Sequence, residues 1–256
     1  MVIGICKYCG KQKKLCQAHI MPKSFYNLKS NSYFGISIYG KIDLTKCQHG
    51  LTDSNILCSE CDGIIGEYDK YAKQLLITNI KNNQNINFKT IPNGKIYCFS
   101  KIDFDYSKLH KFFISLSWRA SISQKTSFSL GKYEDIALKI MKGEMKDNHF
   151  LFFPIIYHLN NNNPMNDIVY TMLGELNKQK YILLTFPDYQ IYIITDVEPI
   201  KNLRLIKSLP FNESCFMLIE SGEDINGIEQ TVIETFKQCK NNNPKIFDIL
   251  DRYIHK

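Results

Sequence analysis

Two pairs of cysteines raise the functional question: Cys6 and Cys9 in "CKYC", and Cys58 and Cys61 in "CSEC". A CxxC turn folds the backbone between its cysteines into a knuckle that points two thiolates at one ion. Two such knuckles complete a tetrahedral four-sulfur zinc site. Cys16 and Cys47 lie in the same segment as spare thiols, and His49 is an alternative ligand. Between the pairs, "AHIMP" sets His19 on a short apolar step that Pro22 stops. Three roles are open to it. A neutral imidazole can act as a general base near pH 7. It can equally bond a carbonyl across a hairpin, or ligate zinc in place of a cysteine.

The flanking sequence supplies the elements such a site needs. Gly10, directly after the first knuckle, provides the residue type that tolerates positive φ. "ILCSECDGIIGEYDKYAKQLL" runs from a short apolar strand through the second knuckle into a helix, with Ile64, Ile65, Tyr68, Tyr71, Ala72, Leu75 and Leu76 at helical spacing. A knuckle, a hairpin, then a knuckle on the first turn of a helix is the order of a treble-clef finger. The distance between the pairs exceeds the common ribbon spacing, so a sizeable insertion is expected between them.

"CKYCGK", "AHIMPKSF" and "NILCSECD", in that order, resemble the HNH (ββα-metal) nuclease superfamily in its zinc-stapled form, over roughly residues 1 to 77. The resemblance implies a structural zinc on Cys6, Cys9, Cys58 and Cys61. It implies that His19 is the general base on the first strand and that Asn55 holds the place of the middle Asn, against a plain turn residue as the alternative. Asp62 stands where the family carries a metal-binding His on the helix. A carboxylate there suits a hard Mg²⁺ or Mn²⁺, held together with His19. Ala18 stands where many members carry a second metal-binding Asp; Asp53, Glu67 and Asp69 join Asp62 as candidate replacements. Glu67 lies about 140° round a regular helix from Asp62 and is a poor partner for the same ion.

Lys7, Lys11, Lys13, Lys14 and Lys23 cluster around the first knuckle and Pro22, where they could clamp phosphates without reading sequence. A solvated basic face is the alternative. Arg119, inside the apolar run "FFISLSWRASIS", either pairs with a carboxylate or reaches a phosphate. The implied activity is hydrolysis of nucleic-acid phosphodiester bonds, on DNA or RNA with DNA preferred, in a setting such as bacterial anti-phage defence. A non-catalytic zinc-stapled module that binds nucleic acid or protein is the other reading.

The totals fit this. The chain has 256 residues, 44% hydrophobic and 22% charged, with a net charge of +7, an ordinary globular composition tilted toward anionic partners. Met1–Gly10 has no basic region followed by a long apolar run, and no stretch of about 18 apolar residues occurs. The expectation is a cytoplasmic, reduced protein in which the nine cysteines form no disulfide framework and the two spaced pairs serve metal.

The expected fold is α+β. A zinc module spans 1–78, a linker or hairpin 79–106, and a C-terminal α+β region of unknown role 107–256, with a possible part in homo-oligomer or defence-system contacts. Within that region amphipathic helices are expected at 107–124 and 133–145, and a further helix at 227–239. Strands of an antiparallel sheet are expected at 149–159, 181–187, 190–196 and 215–220, with a hairpin turning at Pro187–Asp188.

Overall fold

In the computed structural model of the protein, the described residues are 2–25, 34–36, 45–46, 50–79, 87–91, 94–100, 102–126, 129–146, 153–159, 168–176, 179–186, 189–194 and 215–221. Cys47, His49 and the expected helix at 227–239 lie outside them.

The first knuckle folds because its ends are stitched twice. Cys6 N–H donates to Lys11 O (3.0 Å) and Gly10 N–H to Cys6 O (2.8 Å). Gly10 takes φ 70°, a left-handed conformation that a Cβ would strain. The turn joins strands β1 (Ile3–Ile5) and β2 (Gln12–Lys14) into an antiparallel ribbon. Next come the short strands β3 (Ala18–His19) and β6 (Thr52–Asp53), which pair antiparallel with Ala18 opposite Asp53 and His19 opposite Thr52. The insertion between them carries β4 (Phe34–Ile36) and β5 (Thr45–Lys46).

Helix α1 (Ser59–Ala72) follows the second knuckle, with Cys58 as its N-cap and Glu60 and Asp62 in the first turn, where the helix dipole favours negative charge. It widens into a π-helical stretch over Lys73–Asn79. The expected linker contains a hairpin, β7 (Asn87–Ile91) and β8 (Gly94–Ser100). Helix α2 (Tyr106–Ile122) starts at Asp105, whose side chain accepts from Lys108 N–H (3.1 Å). Helix α3 (Glu134–Lys142) ends at Gly143, φ 75°, with Gly143 N–H on Ile140 O and Glu144 N–H on Lys139 O, a Schellman stop.

Strands β9 (Phe153–Leu159), β10 (Ile168–Leu176), β11 (Gln179–Phe186), β12 (Tyr189–Ile194) and β13 (Cys215–Ser221) complete the set. A nine-stranded sheet results, in the order β5-β4-β10-β11-β12-β9-β13-β8-β7. It is mixed rather than wholly antiparallel, because β4 with β10 and β9 with β13 run parallel. Strands β11 and β12 pair antiparallel with Phe186 opposite Tyr189, and the expected turn residues Pro187 and Asp188 lie outside the described residues. The fold is α+β, and no described helix is long and apolar enough to cross a membrane.

Helix α2 departs from the amphipathic expectation. Leu109, His110 and the whole run Phe112–Ala120 are buried. A helix apolar all round belongs inside a core. Its serines tolerate this by bonding back along the helix: Ser115 Oγ to Phe112 O (2.8 Å) and Ser117 Oγ to Phe113 O (3.1 Å). One hydrophobic core runs from Cys6 and Leu15 through α1, α2 and α3 to Ile191 and Ile193 of the sheet. Phe25 stacks on Phe112 (5.3 Å) and meets Tyr189 edge-on (5.9 Å), while the Tyr189 hydroxyl donates to Leu76 O. The N-terminal module and the helices after residue 106 therefore share their interior.

Candidate metal centre and the groups beside it

The two knuckles converge. The sulfurs of Cys6, Cys9, Cys58 and Cys61 all lie within 4.8 Å of one another. Tetrahedral Zn–S bonds of about 2.3 Å put sulfurs about 3.8 Å apart, so the cluster is close to the size zinc requires. Backbone bonds bring it together. Lys7 N–H donates to Ile56 O (2.8 Å), Cys16 N–H donates to Leu57 O (2.9 Å), and Leu15 bridges Cys58. Cys58 N–H donates to Cys6 Sγ (3.4 Å), the kind of outer-shell contact that steadies a ligand thiolate. Cys6, Cys58 and Cys61 are buried and Cys9 half-buried.

Burial, followed by hydrogen bonding with Cys58, Cys6 and Cys9, pushes the Cys61 thiol well up. A soft dication between the four sulfurs would favour their thiolate form. The donor set fits a metal ion such as zinc. Among the described residues it is the group of His, Cys, Asp and Glu side chains gathered closely enough to hold one. Cys16 stays outside it; burial and Asp62 push its thiol up, while a Ser59 hydrogen bond pulls it down.

His19 is half-buried on β3, and Ala18 beside it is fully buried. Asp62 lies on the first turn of α1. Burial pushes its carboxyl above the ordinary aspartate range; the charges of Arg119 and His19 oppose that shift, and Asp69 adds to it. His19, Asp62, Asp69 and Arg119 thus form one electrostatic neighbourhood beside the metal centre.

Arg119 is only 1% exposed, and its guanidinium is fully engaged. It grips Asp69 with two bonds (2.7 and 2.8 Å), donates to His19 O (2.9 Å), and bonds Ser115 O (3.2 Å) and Ser115 Oγ (3.3 Å). Of the two roles open to it in the sequence, the buried carboxylate pair is the one seen. A phosphate contact is incompatible with this burial.

The other candidates sort by environment. Asp53 is buried and committed: Oδ1 accepts from Asn55 N–H (2.9 Å), and Oδ2 accepts from Ser123 Oγ (2.7 Å) and Gln124 N–H (3.3 Å). It clamps β6 to the end of α2 through both of its oxygens. Asn55 is exposed in the turn that Asp53 closes. Glu67 is exposed beside Lys70 (3.6 Å). Lys13 is taken by Glu60 (2.5 Å), whereas Lys14 and Lys23 are exposed.

The partnership of Arg119 with Asp69 was not specified by the sequence reading. Its signal was a cation inside an apolar run, which calls for a carboxylate without naming one. No protein-family model matches the chain, and neither does a curated protein or a solved structure.

Proposed function

We propose that the chain is a zinc-stapled endonuclease of the HNH kind, built on a treble-clef finger, that hydrolyses nucleic-acid phosphodiester bonds. One observation carries the reading. His19 on the first strand of a short antiparallel pair lies close enough for its charge to act on Asp62, on the first turn of the helix that also carries Cys61 of the four-cysteine cluster.

In this reading the cysteines hold zinc and staple the finger. His19 takes a proton from a water molecule. The oxygen of that water forms a bond to phosphorus as the bond to the leaving sugar oxygen breaks, and the leaving oxygen gains a proton from solvent. A Mg²⁺ or Mn²⁺ ion would be held by Asp62 and water beside His19, and would supply charge neutralisation at the phosphate. Mg²⁺ commonly keeps several waters and takes few protein ligands, which fits so small a donor set. Lys14 and Lys23 stand as exposed phosphate contacts. The anti-phage setting rests on the family resemblance alone.

The test incubates zinc-loaded protein with plasmid, linear and single-stranded DNA and with RNA, in Mg²⁺, in Mn²⁺ or in excess EDTA. Cutting that needs the added divalent ion supports the enzyme. The second reading, a zinc-stapled binding module without catalysis, is favoured by fully buried Ala18 where the family carries an Asp ligand. Binding without cutting under every condition would select it.

A further inference from the structure

We propose that the outer face of the β1–β2 ribbon docks into the major groove of B-form DNA, with Ile3 and Ile5 toward the bases and Lys7, Lys11 and Lys14 on the phosphates. This rests on the nuclease reading and narrows its substrate to duplex DNA.

The two faces of the ribbon differ. In the register, Gly4 opposes Lys13, while Ile3 opposes Lys14 and Ile5 opposes Gln12; opposed residues point to one face. The Gly4–Lys13 face is covered. A Cβ built on Gly4 would come within 2.9 Å of Leu15, and Lys13 reaches back to Glu60 on α1. The Ile3–Ile5 face is bare. Ile3 is 72% and Ile5 63% exposed, and Val2, just ahead of them, is 50% exposed. Single exposed aliphatics need no explanation, but Ile3 and Ile5, two positions apart on one strand, share this face.

Charge selects what covers it. Residues 1–42 carry seven lysines and no Asp or Glu. Lys14 shares the bare face, and Lys7 and Lys11 are exposed at the tip. A second copy would set like charges against each other, so the partner is a polyanion with apolar surface of its own. The bare face offers no aromatic side chain for a lipid headgroup boundary, since Tyr8 is buried. Duplex DNA meets the remaining requirements. Its major groove, about 12 Å wide, admits a two-stranded ribbon, and aliphatic side chains pack on thymine methyl groups there. Each ribbon strand has three residues, about 10 Å. The major groove of A-form RNA is too deep and narrow for the same contact.

The experiment measures fluorescence anisotropy with the full zinc-loaded chain carrying His19→Ala, so that no probe is cut. The probes are a short DNA duplex, the RNA duplex of the same sequence, the single strand, and phosphatidylserine vesicles. The DNA duplex is expected to bind tightest. Ile3→Ser with Ile5→Ser should weaken it roughly tenfold or more and leave its salt dependence unchanged. Lys14→Ala should reduce the slope of log affinity against log salt by about one, and Lys13→Ala should leave that slope unchanged. Zinc content monitors folding, and Ile3→Ser alone, farther from Cys6, serves if the double variant loads poorly.

Parental duplex affinity in a zinc-loaded isoleucine variant overturns the proposal. So does RNA or vesicle binding as tight as DNA binding. A wild-type chain that never cuts, yet binds duplex through these residues, sinks the nuclease reading and leaves the docking face standing.

Discussion

Asp62 is a charge held where burial penalises it. Its carboxyl is pushed above the ordinary aspartate range chiefly by desolvation, so the folded chain binds that proton more tightly than the unfolded chain. The group therefore favours folding when protonated, and that contribution is lost as pH rises through the raised value. Asp62→Asn should melt higher than wild type at pH 7, and the gain should shrink as pH is lowered toward the ordinary aspartate range within the window in which zinc stays bound. In the nuclease reading the same variant loses Mg²⁺-dependent cutting, the pattern of a residue kept for function against stability. A melting curve unchanged at pH 7 would remove the penalty argument. At this scale the metal cysteines were legible because their spacing is local. The commitment of Asp53 was not, because Ser123 and Gln124, which hold it, lie some seventy residues away in sequence.

Helix α2 joins the candidate site to the rest of the fold. Its Arg119 bonds Asp69 of α1 and the carbonyl of His19 on β3, so one side chain ties three elements together. Removing one partner of such a buried pair costs about 3–5 kcal/mol, because the other charge is left uncompensated. Arg119→Ala should lower the urea-unfolding free energy by that amount. The double variant with Asp69→Ala should lose less than the sum of the two single losses. Additive losses would mean the pair is not coupled.

The existence of α2 was readable from the pattern. That it is buried all round was not, since its serines look solvent-facing until their hydroxyls are seen bonded to Phe112 and Phe113 carbonyls. Strand β10, with Gly174 and Glu175 in its run, gave no clear alternation. Its place is fixed by β4 and β11 on either side, which only the assembled sheet supplies.

Across the described residues, the four-cysteine cluster and the hydrophobic core are packed together. Trp118, the only tryptophan, is buried edge-on against Tyr8 at 6.1 Å, and Tyr8 sits between Cys6 and Cys9. Metal binding energy in such modules is folding energy. A strong zinc chelator should therefore red-shift Trp118 emission and lower the melting temperature of the shared core. Emission that stays unchanged while zinc is lost would show the finger to be uncoupled from α2. The sequence suggested a zinc module ending near residue 78 with a linker or hairpin after it; the β7–β8 hairpin lies in that stretch, and buried residues of α1 and α2 belong to one core.

The central claim, that His19 does chemistry beside a zinc-stapled finger, is tested most directly by cleavage of plasmid DNA in Mg²⁺ with zinc-loaded wild type and His19→Ala side by side. The account predicts cutting by the wild type and none by the variant, with equal zinc content and equal melting temperature. A variant that cuts as well as wild type would contradict it.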